Sequence, residues 1–95
     1  MSLGKLRLQG YLEVPPERRE QVGAALPLHM ELTRAEPGCT AFEVNERPSR
    51  PGHFLVTECF VDRAAFEAHQ DRARDTAWAQ VTAGLPRHYT ITEED

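Results

Sequence analysis

The 95-residue sequence lacks the short motifs that most cofactor and metal sites require. Its six glycines are scattered and form neither a GxGxxG pattern nor a phosphate-binding loop, and no CxxCH motif occurs. The two cysteines, Cys39 and Cys59, do not have CxxC spacing, which argues against a zinc site or a redox dithiol. The four histidines show no ligand spacing either, although metal ligands can also meet in three dimensions. We therefore expect neither a cofactor nor a metal.

The sequence also has too little positive charge and too few long apolar runs for two other classes of protein. Its net charge is -4, whereas nucleic-acid binding requires a basic face, so no nucleic-acid partner is expected. No apolar run approaches the length of a membrane span, and no membrane partner is expected. Arginine clusters such as Arg18-Arg19 and Arg72/Arg74 are interpreted as solvated helix faces.

The beginning of the chain predicts a cytoplasmic protein. The segment MSLGKLRLQG has neither the apolar core nor the cleavage site of a secretory signal. In the cytoplasm Cys39 and Cys59 should be reduced thiols. In an oxidising environment the two could face each other across a hairpin and form a disulfide.

The length of the chain predicts one domain, 1–95, with limited burial. A chain this short buries only about 60 to 65 percent of the surface that its unfolded form exposes. Apolar residues make up 40% of the sequence and charged residues 27%, as in folded globular proteins. Association with a partner would therefore add needed stability.

The first half of the sequence predicts a strand followed by a helix. Polar and apolar residues alternate from Lys5 to Val14, which is typical of a strand. A helix is expected to begin at Pro16 and to end at Pro37-Gly38, with a kink at Pro27 because an interior proline removes a hydrogen bond. Its inward face should carry Val22, Leu26, His29 and Thr33.

The segments CTAFEVNE and HFLVTECFVD predict two further strands, joined by the loop RPSRPG. If they pair, one shared face carries Phe42, Val44, Phe54, Val56, Glu58 and Phe60. The opposite face mixes polar and apolar residues, which suggests that something other than this chain's own helices covers it.

The last third predicts a second helical region and a closing strand. Asp62 is a suitable N-cap for a helix that carries Phe66 and His69 on one side. DTAWAQVTAGL continues as helix after a break near Asp75 and stops at Gly84, and RHYTITEE closes the chain as a strand.

The predicted order of elements, βαββαβ, corresponds to the ferredoxin-like α+β fold, a four-stranded antiparallel sheet with both helices on one face. The other face of the sheet would be open. A homodimer could bury this open face by stacking two sheets into a dimeric α+β barrel.

With the elements placed, the sequence resembles the antibiotic biosynthesis monooxygenase family, which includes quinol monooxygenases. The segments that carry the resemblance are RAEPGCTAFEV, HFLVTECFVDRAAFEAHQ and RHYTI. The resemblance implies a homodimeric barrel with a pocket between sheet and helices in each subunit. There, a small phenol or hydroquinone reacts with O2 without metal or flavin.

Two inward-facing polar residues are the candidate catalytic pair. His69 has a side chain suited to a general base near neutral pH, and Glu58 lies on an apolar strand face where a carboxylate is costly unless paired. We expect Glu58 to approach His69 within hydrogen-bond reach or through one water, and to orient it. The open alternative is that both are structural hydrogen-bonding groups.

The aromatic residues and a second histidine are candidates for binding a flat substrate. They are Phe42, Phe60, Phe66, Trp78 and His29, and each could equally be part of the core. His53 and His88 lie at strand ends and are expected to be exposed.

Two other functions share the expected architecture. One is a non-catalytic small-ligand-binding or stress-response barrel, which needs the same pocket. The other is haem binding or degradation. Haem-degrading relatives use an asparagine on the first strand, which KLRLQGYLEV lacks, so that Gln9 or Tyr11 would have to replace it.

Overall fold

The structure, a computed structural model, describes residues 4–94. Its elements in chain order are β1 (Lys5–Glu13), α1 (Pro16–Arg34), β2 (Cys39–Glu46), β3 (His53–Phe60), α2 (Arg63–Ala73), α3 (Ala77–Val81) and β4 (Arg87–Glu94). The four strands form one antiparallel sheet in the order β2-β3-β1-β4. The predicted ferredoxin-like α+β fold is confirmed, with the second helical region divided into α2 and α3. No helix within residues 4–94 is long and apolar enough to cross a membrane.

The register of the sheet places the inward-facing residues of three strands side by side. Leu8 on β1 and Phe42 on β2 both lie opposite Glu58 on β3. Residues opposite each other in an antiparallel pair share a face, so the alternation predicted from the sequence puts one apolar face toward the helices. The buried hydrophobic residues of this sheet face are Leu6, Leu8, Leu12, Phe42, Val44, Phe54, Val56 and Phe60.

Helix α1 covers this face with its predicted inward residues. Val22, His29 and Thr33 are buried, and Leu26 packs against the core. A proline at the first helical position and Glu17 in the first turn suit the N-terminal end of a helix. The helix continues through Pro27 as one element, and the kink expected there stays a prediction.

Two side-chain caps position the second helical region. The carboxylate of Asp62 accepts a hydrogen bond from the Ala65 amide at 2.8 Å and starts α2, as predicted. After a break at residues 74–76, the hydroxyl of Thr76 accepts from the Ala79 amide at 3.3 Å and starts α3. This second start turns Trp78 toward α1, where its ring stacks on His29.

The open face of the sheet is partly apolar, as predicted. Leu55 on this face is 45% exposed. Tyr11 stacks between His53 and His88, with ring centroids 4.2 and 4.5 Å apart. His88 is exposed as expected, but the prediction for His53 is wrong. It is only 5% exposed, because the Tyr11 ring on the neighbouring strand covers it.

The two cysteines are free thiols. They are not register partners, because an irregularity between Cys39 and Ala41 pairs Cys39 with Phe60 and Ala41 with Cys59.

Gly10 allows the edge strand β4 to approach β1. Its φ is +155°, and a Cβ there would lie 1.9 Å from the carbonyl oxygen of His88. Gly10→Ala should therefore push β4 away and lower the free energy of unfolding by about 2 kcal/mol, measured by urea denaturation. Gly23→Ala is the matched control: Gly23 lies within α1 and has nothing within 4 Å of the added Cβ, so this change should stabilise by about 1 kcal/mol. If the Gly10→Ala protein is as stable as the wild type, β4 does not approach β1 as closely as described.

Candidate functional site

A cavity of about 420 Å³ lies between the helix-covered face of the sheet and the three helices. This volume lies at the lower end of the range for small-molecule sites, which suits a ligand of one or two rings. β1, β3, β4 and all three helices contribute to its wall. The lining residues are Leu8, His29, Glu58, His69, Gln70, Ala73, Arg74, Trp78, Ala79, Thr82, Arg87 and Tyr89.

Glu58 presents a carboxyl group to this cavity from a hydrophobic strand face. Its opposite neighbours are Leu8 and Phe42, and it is 9% exposed. Burial, and then the negative charge of Glu36, raises the pKa of Glu58 to about 7. A carboxyl group with this pKa gains and loses its proton near neutral pH, as acid–base catalysis requires.

His69 is held in place by a carboxylate that the sequence analysis did not identify. Its Nδ1 lies 3.1 Å from both carboxylate oxygens of Glu36, in the turn after α1. Arg72 donates to the same carboxylate and, at 3.1 Å, to the Thr33 hydroxyl. An ionised carboxylate only accepts hydrogen bonds, so this contact favours the His69 tautomer with the proton on Nδ1. The interpretation of Arg72 as simply solvated is therefore wrong.

This tautomer leaves Nε2 of His69 as the atom that can accept a proton. Nε2 lies 3.9 Å from the Oε1 atom of Glu58, outside direct hydrogen-bonding distance. A direct Glu58–His69 hydrogen bond is therefore not present, and the predicted alternative, a contact through one water, stays a prediction. At Nδ1 the ring is oriented by Glu36, which the prediction did not include. A protonated Glu58 could close this gap by a small side-chain movement, or a ligand hydroxyl could contact both groups.

His29 and Trp78 are two aromatic residues of the cavity lining. Their rings are stacked with centroids 4.8 Å apart and an interplanar angle of 7°. Burial, followed by the charges of His69 and Arg72, lowers the pKa of His29 to about 4, so its imidazole is neutral at pH 7. The Nδ1 atom of His29 is buried and has no hydrogen-bond partner within residues 4–94. Each ring covers one face of the other, so the pair can contact an aromatic ligand through ring edges or through the remaining face of Trp78.

The strand β4 supplies the opposite wall through Arg87 and Tyr89. Burial raises the pKa of Tyr89 to about 12, so its hydroxyl stays protonated at neutral pH. Arg87 donates a hydrogen bond of 2.8 Å to the hydroxyl of Thr82, which is fully buried. The cavity therefore has a carboxyl–imidazole pair and, from β4, a neutral phenol and a guanidinium group.

Four of the seven predicted site residues line the cavity, namely His29, Glu58, His69 and Trp78. The other three, Phe42, Phe60 and Phe66, are buried in the core and do not line it. Phe42 and Phe60 instead pack around the imidazole of His69, with ring centroids 5.9 and 5.2 Å away. They are core residues that pack against the His69 ring, and Phe66 packs on Phe60.

Glu36, which sequence reasoning missed, has one unusual feature in its local sequence. It follows the C-terminal end of α1, where the helix dipole disfavours a negative charge. A carboxylate at that place needs a cationic or hydrogen-bonding partner, and α2 supplies both. The partners lie 33 and 36 residues away in the chain, so local spacing could not reveal them.

Two features bear on haem and metal binding. Gln9 and Tyr11, the residues that would replace the first-strand asparagine of haem-degrading relatives, pair with Thr57 and Leu55 on the open face of the sheet and do not line the cavity. In the described part of the chain, no three His, Cys, Asp or Glu side chains are grouped so that they could hold a metal ion.

Comparison with known proteins relates this architecture to one sequence family. The pattern of the family described as "Antibiotic biosynthesis monooxygenase" matches residues 6–81. The Bacillus subtilis protein "Putative monooxygenase YcnE" is 30% identical over 66 residues, which cover 70% of each chain. The uncharacterized protein sll1783 from Synechocystis is 32% identical over 60 residues, and the match spans 63% of this chain but only 41% of that relative.

Solved structures show the same fold. The "Putative antibiotic biosynthesis monooxygenase from Nitrosomonas europaea" superposes with a TM-score of 0.80 at 22% identity, covering 98% of this chain and 91% of that chain. Protein SO0527 from Shewanella oneidensis gives a TM-score of 0.77 at 25% identity, covering 98% and 93%.

Proposed function

Because this chain belongs to the antibiotic biosynthesis monooxygenase family, we propose that it is a cofactor-independent monooxygenase that oxidises a small phenol or hydroquinone with O2. The observation that carries the proposal is the pair formed by Glu58 and the Nε2 atom of His69. Both face one cavity, 3.9 Å apart, where a substrate hydroxyl can contact them together.

The pair provides the proton transfer that this reaction needs. O2 in its triplet ground state reacts slowly with closed-shell molecules, but an electron-rich phenolate can donate an electron to it. His69 Nε2, oriented by Glu36, accepts the phenolic proton, and the imidazolium that forms lies between the carboxyl groups of Glu36 and Glu58. An ionised Glu58 stabilises that imidazolium, so the pair is active once Glu58 has lost its own proton.

The reaction balances without an external reductant. A phenol and one O2 give a quinone and one water: one oxygen atom forms a new bond to a ring carbon, and the other leaves as water. The ring is oxidised and O2 is reduced. The phenolic hydrogen and the hydrogen on the attacked carbon both end in the water, and His69 carries the first of them while ionised Glu58 stabilises the imidazolium.

The remaining walls of the cavity suit an aromatic substrate. The rings of His29 and Trp78 offer aromatic contacts, and Leu8 and Ala79 add apolar contacts.

Oxygen uptake with a panel of hydroquinones and phenols tests the proposal. We expect uptake above the autoxidation rate, dependent on protein concentration and unchanged by a chelator. The His69→Ala protein should show at most a small fraction of it. Binding of the panel without oxygen uptake above background would contradict the proposal and support the non-catalytic ligand-binding alternative.

We also propose that the protein acts as a homodimer through the open face of the sheet. The exposed Leu55 lies there opposite Tyr11 of β1, and a stable interface buries about 1,200–2,000 Å² in total. Burying these side chains would add to the modest core of a chain of this length.

Leu55→Glu should dissociate this dimer, because it places a charge in the buried centre of the interface. Light scattering at micromolar concentration should give twice the chain mass of 10.7 kDa for the wild type and the single mass for the variant. Leu28→Glu, at the 57% exposed Leu28 of α1, is the control and should stay dimeric. A monomeric wild type would contradict the proposed dimer.

A further inference from the structure

We infer that the ligand of this cavity carries an anionic group, a carboxylate on an aromatic ring, that binds the guanidinium of Arg87. The inference rests on the proposed function only for the other end of the ligand, where a hydroxyl would contact His69 and Glu58. The substrates would then be aromatic hydroxy acids.

Arg87 is an exposed residue whose guanidinium is positioned by hydrogen bonds. It is the first residue of β4 and lines the cavity. Its guanidinium donates to the Thr82 hydroxyl at 2.8 Å and to the Leu85 carbonyl at 3.4 Å. The Thr82 hydroxyl itself donates to the Trp78 carbonyl at 2.7 Å, so its oxygen is a fixed acceptor for Arg87. These contacts use only part of the five donors of a guanidinium group.

The charge of Arg87 has no carboxylate partner within the described residues. Each ion pair there joins other residues, and Arg74, the other arginine of the cavity, pairs with Asp71 at 2.8 Å. Tyr89 forms a hydrogen bond with Arg87 and keeps a neutral hydroxyl, so it does not neutralise the guanidinium, and Glu58 lies in the interior on β3. A guanidinium with free donors at a cavity wall favours a planar, bidentate anion, for which a carboxylate is the matching group.

The cavity walls carry two groups of polar residues in different places, so a ligand that contacts both groups binds in one orientation. Glu58 lies opposite Leu8 of β1, whereas Arg87 lies opposite Leu12, four residues farther along the same strand. The two groups are therefore displaced from each other along the sheet. Trp78 and His29 lie on the α1–α3 side of the same cavity. A ligand ring packed against that side, with a hydroxyl at one end and a carboxylate at the other, would contact all three groups.

Binding measured by Trp78 fluorescence tests the inference, since Trp78 is the single tryptophan of the chain and lines the cavity. The ligands are gentisate and its neutral methyl ester, which keep the hydroquinone ring and differ in charge. Titrations are done without oxygen, so that no turnover is required. We expect the wild type to bind the acid about 10-fold more tightly than the ester.

The variant Arg87→Gln should weaken binding of the acid about 10-fold and leave the ester unchanged. Arg87→Lys keeps the charge and should retain part of the preference, and it serves also if the glutamine variant fails to fold. Arg47→Gln is the matched control: Arg47 is an exposed arginine in the β2–β3 loop outside the cavity, and its removal should change neither affinity.

Three results would overturn the inference: equal affinity of the wild type for acid and ester, equal weakening of both ligands in Arg87→Gln, or no binding of either. Tight, Arg87-dependent binding of the acid without oxygen uptake would instead overturn the proposed monooxygenase activity and leave the inference standing.

Discussion

Replacing His69 with alanine should lower the turnover of a hydroquinone by about 10²-fold or more, the usual scale for removing a general base. His69 is 3% exposed, and its Nε2 is the acceptor that the Glu36 contact leaves free. The fold should survive the change, because Arg72 still pairs with Glu36 when the imidazole is gone. The initial rate of oxygen uptake, with circular dichroism to verify folding, measures the effect.

A matched control separates chemistry from a general loss of histidine. His88→Ala removes an exposed imidazole that pairs with Glu13 and lies outside the cavity, and it should leave turnover near the wild-type value. If the His69→Ala protein keeps its activity and only melts at a lower temperature, His69 is a structural hydrogen-bonding group and the proposed role is wrong.

Glu58→Gln should make the protein more stable at pH 8, by about 3 kcal/mol. Burial raises the pKa of Glu58 from 4.5 to about 7, so between these values the folded protein holds a proton that the unfolded chain releases. The free energy of unfolding of the wild type therefore falls as the pH rises from 4.5 to about 7. Above pH 7 the full destabilisation by the ionised Glu58 is present. Glutamine has a similar shape and no charge to bury, so the variant avoids this fall.

Urea denaturation at pH 4 and pH 8 measures this difference. The wild type and Glu58→Gln should have similar stability at the lower pH, where Glu58 is mostly protonated, and diverge at the higher one. His29, whose pKa is lowered to about 4, makes both proteins less stable as pH falls below about 6.5, and this contribution cancels in the comparison. Glu67→Gln, at an exposed position of α2, is the control and should follow the wild type.

The same variant should lose catalytic function. In the wild type kcat/KM should rise with pH up to about 7, as Glu58 becomes ionised, and then level off. Glu58→Gln should lack this rise and turn over slowly at every pH, since no carboxylate stabilises the imidazolium. A gain in stability with a loss of activity is typical of a residue retained for function. Parallel stability curves and an unchanged pH–rate profile would show that Glu58 does not ionise near neutral pH.

The sequence was sufficient to predict the sheet, because alternation specifies which face of each strand is buried. The same alternation turned Glu58 inward, and helical spacing turned His29 and His69 inward. Local caps were predictable as well: Asp62 starts α2 as expected. These features depend on residues close together in the chain.

The sequence did not reveal which inward residues face a cavity and which face one another. Phe42, Phe60 and Phe66 obey the same pattern as Glu58, but neighbouring side chains fill the space around them. Likewise, the pairing of Glu36 with His69 depends on how the turn after α1 packs against α2. Contacts of this kind follow from tertiary packing, which periodicity does not encode.

The most direct test of the central claim, that this cavity activates a phenol or hydroquinone toward O2, is turnover under ¹⁸O2 with mass spectrometry of the product. Each quinone formed by the wild type should contain one ¹⁸O atom, and the second ¹⁸O atom should appear in water. Unlabelled product, or labelled product at the same rate without the protein, would contradict it.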